Sequence, residues 1–217
     1  GLGYVYNRQV SFGSESAPGK KKAATIIKSL YPNYDNLVAD FVTRDPLSPY
    51  RISITAGILR RSKMPVVLFI THGLGGGINK HIKELCETIK NNGGWTLILS
   101  SIPGNPDTLS FALDHAEYGF KVKISIESHD LLIKLFKSFA VTLVHIHHLM
   151  HWFTDVQALI GKLGCPFYFT FHDYFLICPR VTLTGPDNER YCGEPGIIGC
   201  QKCLMTKPHT DSRDIIT

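Results

Sequence analysis

No window of about 20 consecutive apolar residues occurs in this chain, so the sequence offers no segment that reads as a membrane-spanning helix. Charge is sparse. Charged residues make up 19% of the 217 positions and hydrophobic ones 44%, which excludes the charge-rich composition of disordered chains and predicts a packed core. A charged leader followed by an apolar run and a small-residue cleavage site is not visible at the start, so a cytoplasmic protein is expected. In that compartment the six cysteines would be thiols or metal ligands rather than disulfides. A broad basic face is missing too. The net charge of +5 is concentrated in Lys20-Lys21-Lys22 and Arg60-Arg61-Ser62-Lys63. Such short clusters are solvated or touch acidic lipid or phosphate, and no nucleic-acid partner is expected.

The length fits one principal core with an appendage. Residues 1–19 are rich in Gly and Ser, Lys20 to Leu30 reads as a short helix, and Leu37, Val38, Phe41 and Val42 give a helical face before Pro46 and Pro49. Residues 1–62 are therefore read as an extension or linker, and 63–217 as the main domain.

That domain opens with Pro65 to Ile70, apolar at every position, as expected for a strand buried on both faces of a parallel sheet. Thr71-His72-Gly73-Leu74-Gly75-Gly76-Gly77 follows, then a helical period through Ile78, Ile82, Leu85 and Ile89. The alternation continues. Strands are predicted at Trp95–Leu99, Val141–Ile146 and Cys165–Phe171, and helices at His129–Phe139 and Asp155–Leu163, with an additional strand at Lys121–Ile126 after an irregular stretch. Strands alternating with helices predict an α/β fold: a Rossmann-like, doubly wound, mainly parallel sheet. From residue 174 onward Pro, Gly and Cys dominate, and an irregular loop held by some clamp is expected.

Several groups fall where open α/β sheets bind ligands, at the carboxyl ends of strands. The bend at Gly75, Gly76 and Gly77 lets backbone approach a ligand and leads into a helix N-terminus, which suits a phosphate. It does not match G-x-G-x-x-G, and Leu99 is followed by Ser100 and Ser101 rather than a ribose-binding acid, so a dinucleotide oxidoreductase is disfavoured. His145 and His147 share one side of their strand, with His148 and His151 on the loop beyond; they suit hydroxyl binding, a polar edge or, less readily, a metal. His172-Asp173 ends the next strand, where it can bind hydroxyls, stabilise developing charge or cap a turn. Cys178, Cys192, Cys200 and Cys203, spaced C-x13-C-x7-C-x2-C, fit a closed structural zinc site, free or redox-active thiols, or an iron–sulfur cluster. Cys86 and Cys165 lie on predicted core elements.

Val144-His-Ile-His-His148, Ile160-Gly-Lys-Leu-Gly-Cys-Pro166, Phe169-Thr-Phe-His-Asp-Tyr174, Cys178-Pro-Arg180, Tyr191-Cys192-Gly193 and Cys200-x-x-Cys203 closely resemble the N-terminal domain of bacterial GT4 glycosyltransferases that build cell-surface polysaccharides. Phe69-Ile-Thr-His-Gly-Leu-Gly-Gly-Gly77, with Asn79 and His81, resembles the glycine loop that opens that domain. The resemblance implies a retaining GT-B enzyme with two Rossmann-like lobes, transferring a hexose from a UDP- or GDP-linked sugar to a saccharide or lipid-linked acceptor without an essential metal. It sets Gly75, Gly76 and Gly77 near the donor diphosphate, His172 at the transferred sugar and His147 in the acceptor pocket; Asn79, His148 and Asp173 are expected as further substrate contacts. Asn79 and Lys80 replace the acid or arginine frequent after the glycines.

The donor-side Glu-x7-Glu pair of that family is absent from these 217 residues. Residues 214–217 also read as the middle of a sequence, so an acceptor-side fragment, inactive without a C-terminal donor-binding domain, is expected. Peripheral contact with the inner face of a membrane is compatible with the basic clusters. The competing reading is a non-catalytic, zinc-organised binding module on a Rossmann-like scaffold.

Overall fold

The computed structural model describes residues 16–126, 129–152, 155–185 and 190–206. The first fifteen residues and the tail at 214–217 lie outside them. The chain divides into two compact units, Gly1–Ser48 and Pro49–Thr217. In the first unit α1 (Ser16–Leu30) and α2 (Tyr34–Arg44) are joined by a short turn, with a Lys28–Asp35 ion pair at 3.1 Å and a left-handed Asp45 ending α2. Their apolar side chains, Ile26, Leu30, Leu37, Phe41 and Val42 among them, are exposed.

The second unit begins at the start of α3 (Ser48–Ser62), not at residue 63. Thr55, Ala56 and Leu59 of that helix are buried, which moves it from the expected extension into the core. The helix escaped the sequence reading because Pro49 and Gly57 interrupt its pattern and its buried face is narrow.

Six strands form one sheet in the order β4-β3-β2-β1-β5-β6: β1 (Val66–Thr71), β2 (Trp95–Ile102), β3 (Asn105–Leu113), β4 (Phe120–Ser125), β5 (Leu143–Ile146) and β6 (Phe167–Phe169). The β1–β2, β1–β5 and β5–β6 pairs are parallel, while β3 and β4 extend the sheet as antiparallel strands. Helices α4 (Gly77–Asn91), α5 (His129–Ser138) and α6 (Val156–Leu163) supply the crossovers. The architecture is the expected Rossmann-like α/β one. No described helix is long and apolar enough to cross a membrane.

Strand β1 shows why its run had to be apolar at every position. Successive side chains point to opposite faces. Val66, Leu68 and Ile70 join the large core with Ala56 and Leu59 of α3, Phe136 of α5 and Leu159 of α6. Val67 and Phe69 face the other way, onto Ile82 and Cys86 of α4. Both faces are covered, so the sheet is doubly wound.

β3 falls in what the sequence suggested was irregular. Pro106 and Asp107 argue against a strand, but Leu109, Phe111 and Leu113 alternate inward beyond them, and the proline sits at the strand's start, where a missing N–H is tolerated. Phe111 is fully buried, with Phe120, Phe136 and Phe139 rings at 5.2, 5.7 and 5.4 Å. Truncating it removes the hub of that cluster. Phe111→Ala is expected to cost about 3–5 kcal/mol of unfolding free energy by denaturant titration; a loss under about 1 kcal/mol would mean that β3 does not carry the core.

Candidate active site at the carboxyl ends of the parallel strands

The glycine bend leaves β1 at Thr71 and turns into α4 within a few residues. Gly75 and Gly76 have φ of 84° and 79°. Gly76, the N-cap residue, combines that φ with a ψ of −157°, a region that only glycine occupies at low cost. Gly77 has no such constraint. The first hydrogen bond reaching back from the helix runs from Lys80 N to Gly76 O at 3.3 Å. The N–H groups of Gly77, Ile78 and Asn79 therefore precede the helical ladder and form the positive end of the helix dipole. Gly73 was not singled out from the sequence, yet a Cβ there would sit 2.5 Å from the Ser101 carbonyl oxygen. Its small size lets the bend cross the end of β2.

Beside that crossing lies a cavity of about 420 Å3 of mixed lining, with Ser100, Ser110, Lys121 and Lys123 beside Ile102 and Val122 and with Gly73 at its edge. On the other side of the sheet tips, an apolar cavity of about 520 Å3 runs along α6 and β6, lined by Val156, Ile160, Phe167 and Phe169. Its Leu149, Phe169 and Leu176 also border the pocket around His147 and His172.

The histidines meet between these cavities. β5 ends at Ile146, and His147 N still donates to Ile70 O of β1 at 2.8 Å, so its ring stands level with the glycine bend. Its Nδ1 lies 2.9 Å from Nε2 of His172, the two rings stacked with centroids 5.2 Å apart. His81 of α4 contacts both, at 5.5 Å from each. His81 was not assigned a site role from the sequence. Its position four residues into a helix that starts at the bend was the available signal, because that spacing returns a side chain over the strand tips.

Burial fixes how these rings are protonated. His147 is 1% exposed, and its pKa is pushed from 6.5 down to about 3 by burial first, then by the neighbouring His145, His172 and His81. It is neutral. Its Nε2 has no hydrogen-bond partner among the described residues. A buried orphan N–H is costlier and rarer than an orphan acceptor, so the proton belongs on Nδ1, where it donates to His172 Nε2. His172 then carries its own proton on Nδ1. Burial also lowers the pKa of His172, with His81 and His148 contributing and Asp173 opposing. His145 is lowered by burial, then by His81 and His172, and its Nε2 lies 2.8 Å from Thr170 Oγ1.

The other expected contact residues divide. Asn79 and His172 are exposed at the bend and at the strand tip. His147 stands behind His172 instead of facing the crevice. His148, 4% exposed, uses both nitrogens internally: Nδ1 accepts from Met150 N at 3.0 Å, and Nε2–H donates to Asp173 Oδ2 at 2.9 Å. Asp173 accepts a second bond at Oδ1 from Phe175 N, 2.9 Å away. The His148 ring, expected in substrate contact, is buried with both nitrogens bonded inside the protein, where it braces the loop carrying His172. Below them, His72 packs edge-on against His148 at 4.8 Å, and Trp152 Nε1 donates to Thr71 O at 2.9 Å, tying the two loops together.

All four cysteines of the C-terminal segment are free thiols. Cys200 and Cys203 lie one turn apart on α7 (Gly196–Thr206), a helix that replaces part of the expected irregular loop. Burial holds the Cys203 thiol above its ordinary value, the Arg180 guanidinium draws it down, and the sulfurs of Cys178, Cys192 and Cys200 push it up. Among the described residues no group of three or more His, Cys, Asp or Glu side chains stands at the spacing that holds a metal.

A family model described as Glycosyltransferase Family 4 matches residues 75–191, from the glycine bend through the His172 loop. No curated protein and no solved structure gives a significant match.

The neutral histidines make stability acid-sensitive. The folded chain holds His147 at about 3 while the unfolded chain returns it to 6.5, so the unfolded state takes up the proton first. His147's contribution is complete above pH 6.5 and falls by about 1.4 kcal/mol per pH unit below it, or about 2 kcal/mol by pH 5. Unfolding free energies measured by urea titration should drop by at least that much between pH 6.5 and 5, with His147→Asn flattening the slope. Equal stability at both pH values would contradict the buried neutral ring.

Proposed function

Because the family match spans more than half of it, this chain belongs to glycosyltransferase family 4, and we propose that it forms the acceptor-side half of a retaining enzyme that moves a hexose from a UDP- or GDP-linked donor to a saccharide or lipid-linked acceptor in surface-polysaccharide synthesis. One observation carries this reading: the N-terminus of α4 and the His172 ring lie at the same end of the sheet, bridged by His81 at 5.5 Å from His172.

Departure of a nucleoside diphosphate leaves negative charge on its oxygens. Backbone N–H groups of Gly77, Ile78 and Asn79, held by the Gly75-Gly76 bend, stabilise that charge without reorganising. His172 offers a neutral Nδ1–H toward the transferred sugar, its tautomer fixed from behind by His147. Such a donor favours the developing charge without being consumed. Asn79 adds an amide at the same edge. The mixed cavity, with the hydroxyls of Ser100 and Ser110 and the ammonium groups of Lys121 and Lys123, suits a hydroxyl-rich acceptor, and the apolar one along α6 suits the hydrocarbon of a lipid-linked one. A second lobe facing the crevice supplies the donor site, since the paired glutamates that resemblance to the family calls for are not within these residues. A basic segment such as Lys20-Lys21-Lys22 is compatible with peripheral contact at a membrane that presents the acceptor.

His172→Ala in the enzyme carrying both lobes is expected to lower kcat by about 100-fold or more, and to cost about 1–3 kcal/mol of stability as well, because the buried His147 Nδ1–H loses its acceptor. Rates within threefold of the parent remove it from the site. The 217-residue chain by itself is expected to show no turnover of UDP- or GDP-sugars.

A further inference from the structure

A row of polar side chains runs across the sheet from the glycine bend to its edge. Thr71 of β1 pairs with Ser100 of β2, Ser100 with Ser110 of β3, and Ser110 with Lys123 of β4, so the four stand side by side at the level of the strand tips. Register puts them on one face. Val67 and Phe69 of β1 and Ile98 of β2 meet α4, and side chains alternate along a strand, so Thr71 and Ser100 share the α4 face. On β3 and β4, Leu109, Phe111, Val122 and Ile124 pack into the larger core on the opposite side, which leaves Ser110, Lys121 and Lys123 on the face of α4.

The helix does not cover them. Its apolar side chains cluster with those of β1, β2 and β5, with none from β3 or β4 among the described residues, and Lys121 and Lys123 are exposed. The uncovered face forms the wall of the cavity of about 420 Å3 beside Gly73. Among the described residues no carboxylate lines that cavity, and Asp114, at the far end of β3, is already paired with Lys90 of α4 at 3.0 Å. Ser101 is committed too, donating to Met150 O at 3.0 Å. Lys121 and Lys123 have no ion-pair partner, and the Ser100 and Ser110 hydroxyls no hydrogen-bond partner, among the described residues. At the inner end of the row Thr71, 2% exposed, holds a buried Oγ1 that is likewise unpartnered there.

Two ammonium groups two residues apart on one strand are held about 7 Å from each other, and they repel. A cleft with charge of one sign and apolar walls attracts an anion. Lysines on an edge strand commonly guard it against pairing with another chain, but that role needs charge along the edge and no hydroxyls behind it at the same level. Ammonium groups act as point charges, and with hydroxyl donors they suit the tetrahedrally arranged oxygens of a phosphoryl group. A flat carboxylate is better matched by the guanidinium fork of arginine, which this cavity lacks.

We propose that Ser100, Ser110, Lys121 and Lys123 bind a phosphoryl group carried by the acceptor, whether on a saccharide or on a lipid. The assignment rests on the reading of this chain as the acceptor-side half of a transferase, and it names the class of acceptor. Lys123 stands three strand spacings from Thr71, about 14 Å across the sheet. The phosphoryl group is thus bound away from the hydroxyl that attacks beside His172. It anchors and aligns the acceptor and takes no part in the exchange of bonds.

Amide NMR of the purified chain, titrated with inorganic phosphate against chloride at equal ionic strength, reads the site residue by residue. Shifts are expected at Ser100, Ser110, Lys121 and Lys123. Binding read there should weaken by about tenfold or more in Lys121→Gln/Lys123→Gln, and stay unchanged in Lys134→Gln, an exposed lysine of α5. Should the double variant not fold, Ser110→Ala is measured in its place, with a smaller loss expected. Glucose 6-phosphate and the short-chain lipid dihexanoyl phosphatidate separate the two sources, and tighter binding of either at β3 and β4 identifies the carrier. Phosphate shifts confined to Gly77, Ile78 and Asn79 overturn this proposal and leave the diphosphate site at the bend standing; shifts at β3 and β4 alone support it and count against that site. Binding at β3 and β4 that survives the double substitution also overturns it.

Discussion

The arrangement depends on the backbone pairing that inserts β5 between β1 and β6. Ile70 O accepts from His147 N at 2.8 Å, and Ile146 O accepts from Thr170 N at 2.9 Å, so three parallel strands end at the same level. The glycine bend, His147 and His172 lie one to seven residues past those bonds, with Asn79 and His81 on the helix that follows the bend. Parallel pairing allows this because all three carboxyl ends point the same way, with α4 returning the chain from β1 to β2 and α6 from β5 to β6. A one-residue slip of β5 would turn His147 to the opposite face and break its contact with His172.

The α/β alternation was legible in the sequence because its carriers are unambiguous. Val66 to Ile70 admits only a strand covered twice, and Ile78, Ile82, Leu85 and Ile89 admit only a helix with one buried side. What escaped were elements whose local signals conflict with their tertiary setting. Pro106 hid β3, Gly57 and a narrow buried face hid α3, and the Pro195-Gly196 start hid α7. Long-range packing decides such cases, and a window of neighbouring residues does not contain it.

At the candidate site, burial separates the residues that the sequence singled out. Gly75, Gly76, Asn79 and His172 lie at the strand-tip edge, with Asn79 and His172 exposed. His147 and His148 are present but stand behind it, one orienting His172 and the other holding Asp173, a distinction set by burial and hydrogen-bond partners that spacing along a strand cannot reveal. His81 joins the cluster from α4 because a helix starting at a glycine bend returns to the strand tips within one turn. Gly73 is needed for the opposite reason to Gly76: its surroundings, not its φ, leave no room for a side chain.

The central claim is that the glycine bend and His172 act on one bound anion. Imidazole NMR of His172, in the enzyme carrying both lobes, measures this directly. With nucleoside diphosphate bound, its pKa should rise, since a nearby anion favours the protonated ring; Gly76→Ala should remove the rise along with the binding. A His172 titration that stays unchanged when the diphosphate is demonstrably bound would place the two elements at separate sites and contradict the account.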